Sequence, residues 1–302
     1  MIDVCLPGTG GMMPLPRRWL TCCWIEYQGS AVLIDCGEGT QIAIKKAGLK
    51  PSRIELLLLT HYHADHVSGL PGILLTLANI PRTEPLTIAG PPGLKRIVSA
   101  LTVITPRLPF ELNLIELDKD DPEPIRKCGL DISALPLKHG VTCFGYRAEL
   151  FRKPVFNPEK AAALQISVQK YKVLHAGGTV TLEDGRVILP EQVLDGARQP
   201  ISVCYFTDTR PFPQMSEFAQ GVDLLISEGM YYDESMRASM ADKNHMLFSD
   251  SAKIAANANA KRLWLTHYSP ALDYPPNGAR TLEKWFKDGV VSKDGEFVTL
   301  EG

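Results

Sequence analysis

Apolar positions along this chain fall mostly in short uninterrupted runs, without the strict alternation of a half-exposed sheet. Runs at residues 2–6, 22–27, 31–35, 56–59, 85–89, 112–117 and 130–137 predict strands in the first part of the chain. Residues 145–150, 201–207, 222–227, 262–266 and 296–300 continue the pattern to the end. Helices are expected after Gly39, where Lys45, Lys46 and Lys50 mark a solvated face and Pro51 a stop, and near residues 73–78, up to Leu101, and across the alanine-rich stretch 252–260. Strands alternating with helices in both halves predict two packed sheets with helices outside them. Residues 151–200 break the rhythm, with Pro154, Pro158, Gly177, Gly178 and Gly185, and read as an excursion from the sheet.

The polar residues that end these runs carry the chemistry. Leu56–Leu59 leads straight into Thr60-His61-Tyr62-His63-Ala64-Asp65-His66. His61 and His63 alternate on an extended segment, so both project the same way, and Asp65 and His66 follow as the chain turns. Imidazole nitrogen and carboxylate oxygen suit zinc, with manganese or iron also accommodated. No cysteine lies in the cluster, which argues against a structural zinc finger. His139, Asp208, Glu228 and His267 each follow another apolar run. With His61, five ionisable groups at strand ends meet on one rim if the sheets pack face to face, as ligands do at the carboxyl ends of α/β sheets. The Gly8-Thr9-Gly10-Gly11 turn lets backbone approach a neighbour closely.

Composition narrows the class. The chain has 302 residues, 45% hydrophobic and 22% charged, ordinary for a globular protein. A net charge of −2 gives no general attraction to nucleic acid, so any RNA must be held by local basic patches. Seven cysteines, an odd number without a CxxC pair, suggest reduced thiols. No signal peptide and no bilayer-length apolar run is visible, so the expectation is a cytoplasmic protein with no membrane partner.

His61-x-His63-x-Asp65-His66, followed by lone His139, Asp208 and His267, resembles the metallo-β-lactamase superfamily in order and context. The stretches Asp35-Cys36-Gly37-Glu38-Gly39-Thr40-Gln41, Thr179-Val180-Thr181-Leu182-Glu183-Asp184-Gly185-Arg186 and Asp208-Thr209-Arg210-Pro211 narrow this to the ribonuclease Z family of tRNA 3′-processing endonucleases, over nearly the whole chain. The resemblance implies an α/β fold, the four-layer αββα sandwich of the metallo-β-lactamase type. It also implies a single domain over residues 1–302 with an arm-like excursion at about 151–200. It implies two Zn²⁺ ions, Mn²⁺ being an alternative: one held by His61, His63 and His139, the other by Asp65, His66 and His267, with Asp208 between them. Asp65 would also accept the proton of the attacking water. His245, ahead of the alanine-rich helix, would act as general acid or stabilise the scissile phosphate, held by Glu228. Precursor tRNA would be the substrate and a homodimer the assembly. Lys170, Tyr171 and Lys172 in the excursion would meet RNA backbone by charge and stacking, although prolines usual in the family's arm are missing. Pro16-Arg17-Arg18 replaces another basic motif of the family. His175 matches nothing and reads as an ordinary histidine.

Two other readings use the same residues. One is a phosphodiesterase acting on small or cyclic phosphodiesters. The other is a non-hydrolytic protein, either a di-iron redox centre or an RNA-binding module. Di-iron relatives usually carry Glu at the position of His63, and Asp65 with His245 argues for hydrolysis.

Overall fold

A computed structural model describes residues 1–301. In chain order the strands are β1 (Ile2–Gly8), β2 (Cys22–Tyr27), β3 (Ser30–Ile34), β4 (Ile54–Leu58), β5 (Leu86–Gly90), β6 (Leu112–Glu116), β7 (Ile125–Lys127) and β8 (Leu130–Pro136). They continue as β9 (Phe144–Leu150), β10 (Val180–Thr181), β11 (Val187–Ile188), β12 (Ile201–Phe206), β13 (Leu224–Glu228), β14 (Leu263–Thr266), β15 (Gly289–Val291) and β16 (Glu296–Leu300). The chain divides into two compact units, residues 1–149 with 202–301, and residues 150–201.

In the larger unit, one sheet runs β16-β1-β2-β3-β4-β5-β6 and the other β15-β14-β13-β12-β9-β8-β7. Strands β3 to β6 are parallel, as are β12 to β15, so their carboxyl ends share an edge in each sheet. The period of two sorts the apolar residues between faces. Leu57 and Leu59 pack outward with Ile73, Leu74 and Leu77 of helix α3 (Leu70–Ala78), whose register follows the expected helix; helices α1 (Thr40–Lys46) and α2 (Ala64–Val67) precede it. Leu56 and Leu58, fully buried, point the other way. On the second sheet, Cys204, Phe206, Leu225, Leu263 and Leu265 pack with Phe248, Ala252 and Ala255 of a later helix, Phe248–Asn257.

Polar links cross between the sheets. The Tyr146 hydroxyl donates to the Leu59 carbonyl at 2.7 Å, the Phe144 amide donates to the Thr60 carbonyl at 2.9 Å, and the Thr21 and Thr266 hydroxyls meet at 2.6 Å. With helices on both outer faces, this is the four-layer sandwich of the metallo-β-lactamase fold. Three-residue edge strands β7 and β15 were not expected, being too short to carry a pattern. All seven cysteines are buried and free. No helix among the described residues is long and apolar enough to cross a membrane.

The smaller unit is more ordered than its irregular sequence suggests. Helices Pro158–Ala163 and Val168–His175 and the β10–β11 hairpin enclose Ala161, Ile166, Leu174, Val180, Ile188 and Val193. The Asn157 side chain caps the first helix by accepting from the Glu159 and Lys160 amides. Tyr171, expected to meet RNA, instead packs on Phe156 with ring centres 4.7 Å apart. Lys170 donates to the Thr181 carbonyl at 2.8 Å, while Lys172 is exposed. His175 lies 6.0 Å from the Phe156 ring centre.

Candidate metal centre

The ends of β3, β4, β8, β12, β13 and β14 deliver Asp35, His61, His139, Asp208, Glu228 and His267 to one place. The loop between β4 and α2, together with α2 itself, adds His63, Asp65 and His66. Asp35 and His267 stand directly after their strands at φ 62° and 58°. That left-handed conformation is rare for residues other than glycine, and here it turns the chain just where the side chain must enter the centre.

Seven side chains form two facing sets. In the first, His61 Nε2 lies 3.0 Å from His63 Nδ1, which lies 3.3 Å from His139 Nε2. Asp208 Oδ2 stands 3.7 Å from His61 Nε2 and 3.8 Å from His139 Nε2. In the second, Asp65 Oδ2 is 3.5 Å from His66 Nε2 and 3.4 Å from His267 Nε2. The other oxygen of Asp208, Oδ1, lies 3.3 Å from His66 Nε2 and 3.1 Å from His267 Nε2. One carboxylate thus shows one oxygen to each set.

This donor set fits divalent cations. Imidazole nitrogens that converge at about 3 Å present lone pairs to a common point, an arrangement a cation stabilises. Three outer nitrogens have partners, which aims the inner ones. His66 Nδ1 meets Asp35 Oδ2 at 2.8 Å, His61 Nδ1 lies 3.1 Å from the Thr60 hydroxyl, and His139 Nδ1 lies 3.4 Å from the Asn244 carbonyl. His267 Nδ1 is buried without a hydrogen-bond partner, 3.7 Å from Glu228 Oε2.

Charge is distributed accordingly. Burial, reinforced by His66, holds His61 well below the usual histidine range, and burial also lowers His139; both favour the neutral ring that ligates metal. Burial opposes ionisation of Asp208, yet His267, His66 and His61 outweigh it and keep the carboxylate charged. The same holds for Asp65, where hydrogen bonds from His267 and His66 overcome burial. His66 is pushed the other way: Asp208 and Asp35 outweigh burial and raise it.

Asp208, Glu228, His245 and His267 form a further cluster of potential ligand atoms. However, Glu228 is committed elsewhere. Its Oε2 meets His245 Nδ1 at 2.8 Å, and its Oε1 accepts from the Thr209 amide at 2.7 Å. Burial works against a charged His245, but the Glu228 carboxylate outweighs it and pushes the imidazole up to about 9. The His245 ring stacks on His267 with centres 5.7 Å apart and lies tilted beside His139 at 5.3 Å, next to the candidate metal ligands.

Sequence reading gave Asp35 no role. It accepts from the Thr60 amide at 2.8 Å and from the Thr60 hydroxyl while holding His66, and it is fully buried. Its signals in the sequence are that it closes a buried strand and opens the family-like stretch 35–41. The Gly8–Gly11 turn also finds its neighbour here. A Cβ on Gly11 would stand 2.7 Å from the His267 ring, and the Met12 amide donates to Asp65 Oδ2 at 2.7 Å. Arg18 has a structural part, donating to the Ser269, Leu272 and Asp273 carbonyls.

Known proteins share this framework. The metallo-beta-lactamase superfamily model matches residues 21–179, and a beta-lactamase superfamily domain matches residues 193–268. Ribonuclease Z of Agathobacter rectalis is 48% identical over 304 residues, covering 99% of this chain and 98% of the relative. Ribonuclease Z of Clostridium acetobutylicum is 40% identical, with 97% and 96% covered. Human tRNase Z, short form, superposes with a TM-score of 0.71 at 22% identity over 99% of each chain, a likeness of fold. The Bacillus subtilis metallo-beta-lactamase fold protein YhfI does so with 0.69 at 19% over 98% of each. By full-length similarity and by fold, the chain belongs to the ribonuclease Z family of the metallo-β-lactamase superfamily.

Proposed function

We propose that this protein is a metal-dependent endoribonuclease that processes the 3′ end of precursor tRNA, cutting after the discriminator nucleotide and leaving a 3′-hydroxyl. The carrying observation is the split of the Asp208 carboxylate, one oxygen facing His61 and His139 and the other facing His66 and His267. His61, His63 and His139 would hold one zinc ion, Asp65, His66 and His267 a second, and Asp208 both; manganese suits the same donors. When bound, such cations polarise the scissile phosphate and make water a stronger acid.

The chain's own groups supply the rest. Asp65, held by the Met12 amide, accepts the proton of the attacking water. His245, kept protonated by Glu228, gives a proton to the departing ribose oxygen. Glu228 acts by position: anchored on the Thr209 amide, it accepts from His245 Nδ1 and so sets the ring's tilt. The assembly in this reading is a homodimer, as the family resemblance implies, and the exposed Lys172 of the smaller unit contributes to RNA binding.

The test is cleavage of a 3′-extended precursor tRNA beside bis-p-nitrophenyl phosphate, with and without chelation of the metal. The reading requires metal-dependent release of the trailer. Turnover of the small ester alone would instead place the protein among phosphodiesterases of small substrates.

A further inference from the structure

A cavity of about 570 Å³, within the size range of small-molecule sites, opens beside Tyr268 and Thr9. Tyr268, the neighbour of His267, forms part of its wall, as does Thr9, two residues before Gly11. The Tyr268 amide donates to the Thr9 carbonyl at 2.9 Å, so the wall of the cavity and the turn packed on His267 are one piece of backbone. No residue assigned to the metal centre lines it.

Three features call for a ligand of mixed character. First, Ser292 lines the cavity, is only 3% exposed, and its hydroxyl has no hydrogen-bond partner. An unmatched buried hydroxyl costs free energy that a ligand group would recover. Second, Asp294 supplies a carboxylate, fixed by the Thr9 hydroxyl at 2.8 Å and the Trp19 amide at 2.6 Å, with lone pairs remaining on both oxygens. Third, Tyr274 offers an aromatic ring that is 61% exposed, with Pro276 beside it, while exposed Arg17 and Lys293 stand at the rim.

These features select among ligands. A bare anion is repelled by Asp294, and a cationic side chain by Arg17 and Lys293. An apolar segment leaves Ser292 and Asp294 unmatched. A flat base with donor groups on its edge and a phosphate on its sugar satisfies all three features.

We infer that the cavity formed by Tyr274, Ser292, Asp294, Arg17 and Lys293 is a nucleotide-binding pocket that takes one base of the RNA substrate. The base stacks on Tyr274, its donor edge meets Asp294 and Ser292, and its phosphate lies between Arg17 and Lys293. This rests on the proposed RNA substrate, although the same chemistry would accept a free nucleotide.

The test uses the full chain. Tyr274→Ala should raise KM for precursor tRNA roughly tenfold with kcat little changed, as expected for lost base stacking, and should lower the ratio of precursor-tRNA to small-ester kcat/KM accordingly. The paired change Arg17→Ala with Lys293→Ala should reduce the slope of log affinity against log salt by about 0.7, the contribution of one phosphate neutralised on a single strand. Ser292→Val should raise Tm while weakening nucleotide binding; a purely structural serine would give the first effect without the second.

Titration with AMP, CMP and inorganic phosphate, followed by ligand-observed NMR, separates the sources. Mononucleotide binding lost in Tyr274→Ala, with an unchanged KM for RNA, assigns the pocket to free nucleotides and overturns the RNA assignment. Altered KM and salt slope without mononucleotide binding support the RNA assignment. Unchanged KM and salt slope together with no mononucleotide binding overturn the pocket altogether. A wild-type protein that cuts no precursor tRNA overturns the enzymatic reading instead, and the mononucleotide titration then decides the pocket alone.

Discussion

Strand β13 is buried at all five positions and ends in Glu228, whereas the unit of residues 150–201 closes its short elements over Ala161, Ile166, Leu174, Val180, Ile188 and Val193. Both regions bury apolar side chains, but at different scale. In the larger unit, strands packed on both faces fix where each chain end falls, and a residue placed after such a strand inherits that rigidity. In the smaller unit, helices of six and eight residues depend on a limited apolar cluster. The difference teaches that the candidate metal ligands sit at the ends of strands buried in a large core, while the smaller unit holds its short elements together with a few apolar side chains.

The sharpest way to break this comparison is to remove its shared ligand. Asp208→Ala should abolish metal retention and activity together, since each set loses the Asp208 oxygen that faces it; metal analysis beside cleavage assays checks this. Next in size, His245→Ala should keep its metal and lose about 10²–10⁴ in turnover, the usual worth of a general acid–base step. Full rate on precursor tRNA in that variant would remove His245 from the mechanism.

Replacing residues 152–199 with a short Gly-Ser linker probes the other region. Its flanking strands β9 and β12 are neighbours in one sheet. The expected outcome is a rise of roughly tenfold or more in KM for precursor tRNA, from lost phosphate contacts, with small-ester hydrolysis kept. Equal losses on both substrates would show that the segment supports the larger unit's fold.

A pH profile gives the smallest effect. His245 is raised from 6.5 to about 9 with Glu228 as the main opponent of burial. A protonated acid is lost as pH rises through its folded value, so kcat should fall on the alkaline side. Glu228→Gln removes the charge that raises it, and the falling limb should move toward lower pH. A limb that stays in place would separate Glu228 from the proton transfer.

Much of the centre was legible before any coordinates. His61, His63, Asp65 and His66 form a dense local motif, and His139, Asp208 and His267 each follow a buried run, a position with few structural explanations. Glu228 also follows a buried run, but its pairing with His245 needed family resemblance, because an acid and a histidine seventeen residues apart carry no spacing rule. Asp35 was overlooked because its work is done through His66 and Thr60, contacts made only once β3 and β4 pair. The smaller unit was opaque for a different reason. Strands of two residues and short helices leave too few positions for a hydrophobic period to show, and Tyr171 turned out to serve that unit's own packing.

The central claim is that a single carboxylate joins two sets of ligands around two cations. Native mass spectrometry of the zinc-loaded protein tests it most directly, with His139→Ala and His267→Ala measured alongside. The account calls for two ions per wild-type chain and the loss of one, from a different set, in each variant. A wild-type chain that saturates at one ion, or a His267→Ala chain that keeps both, would contradict it.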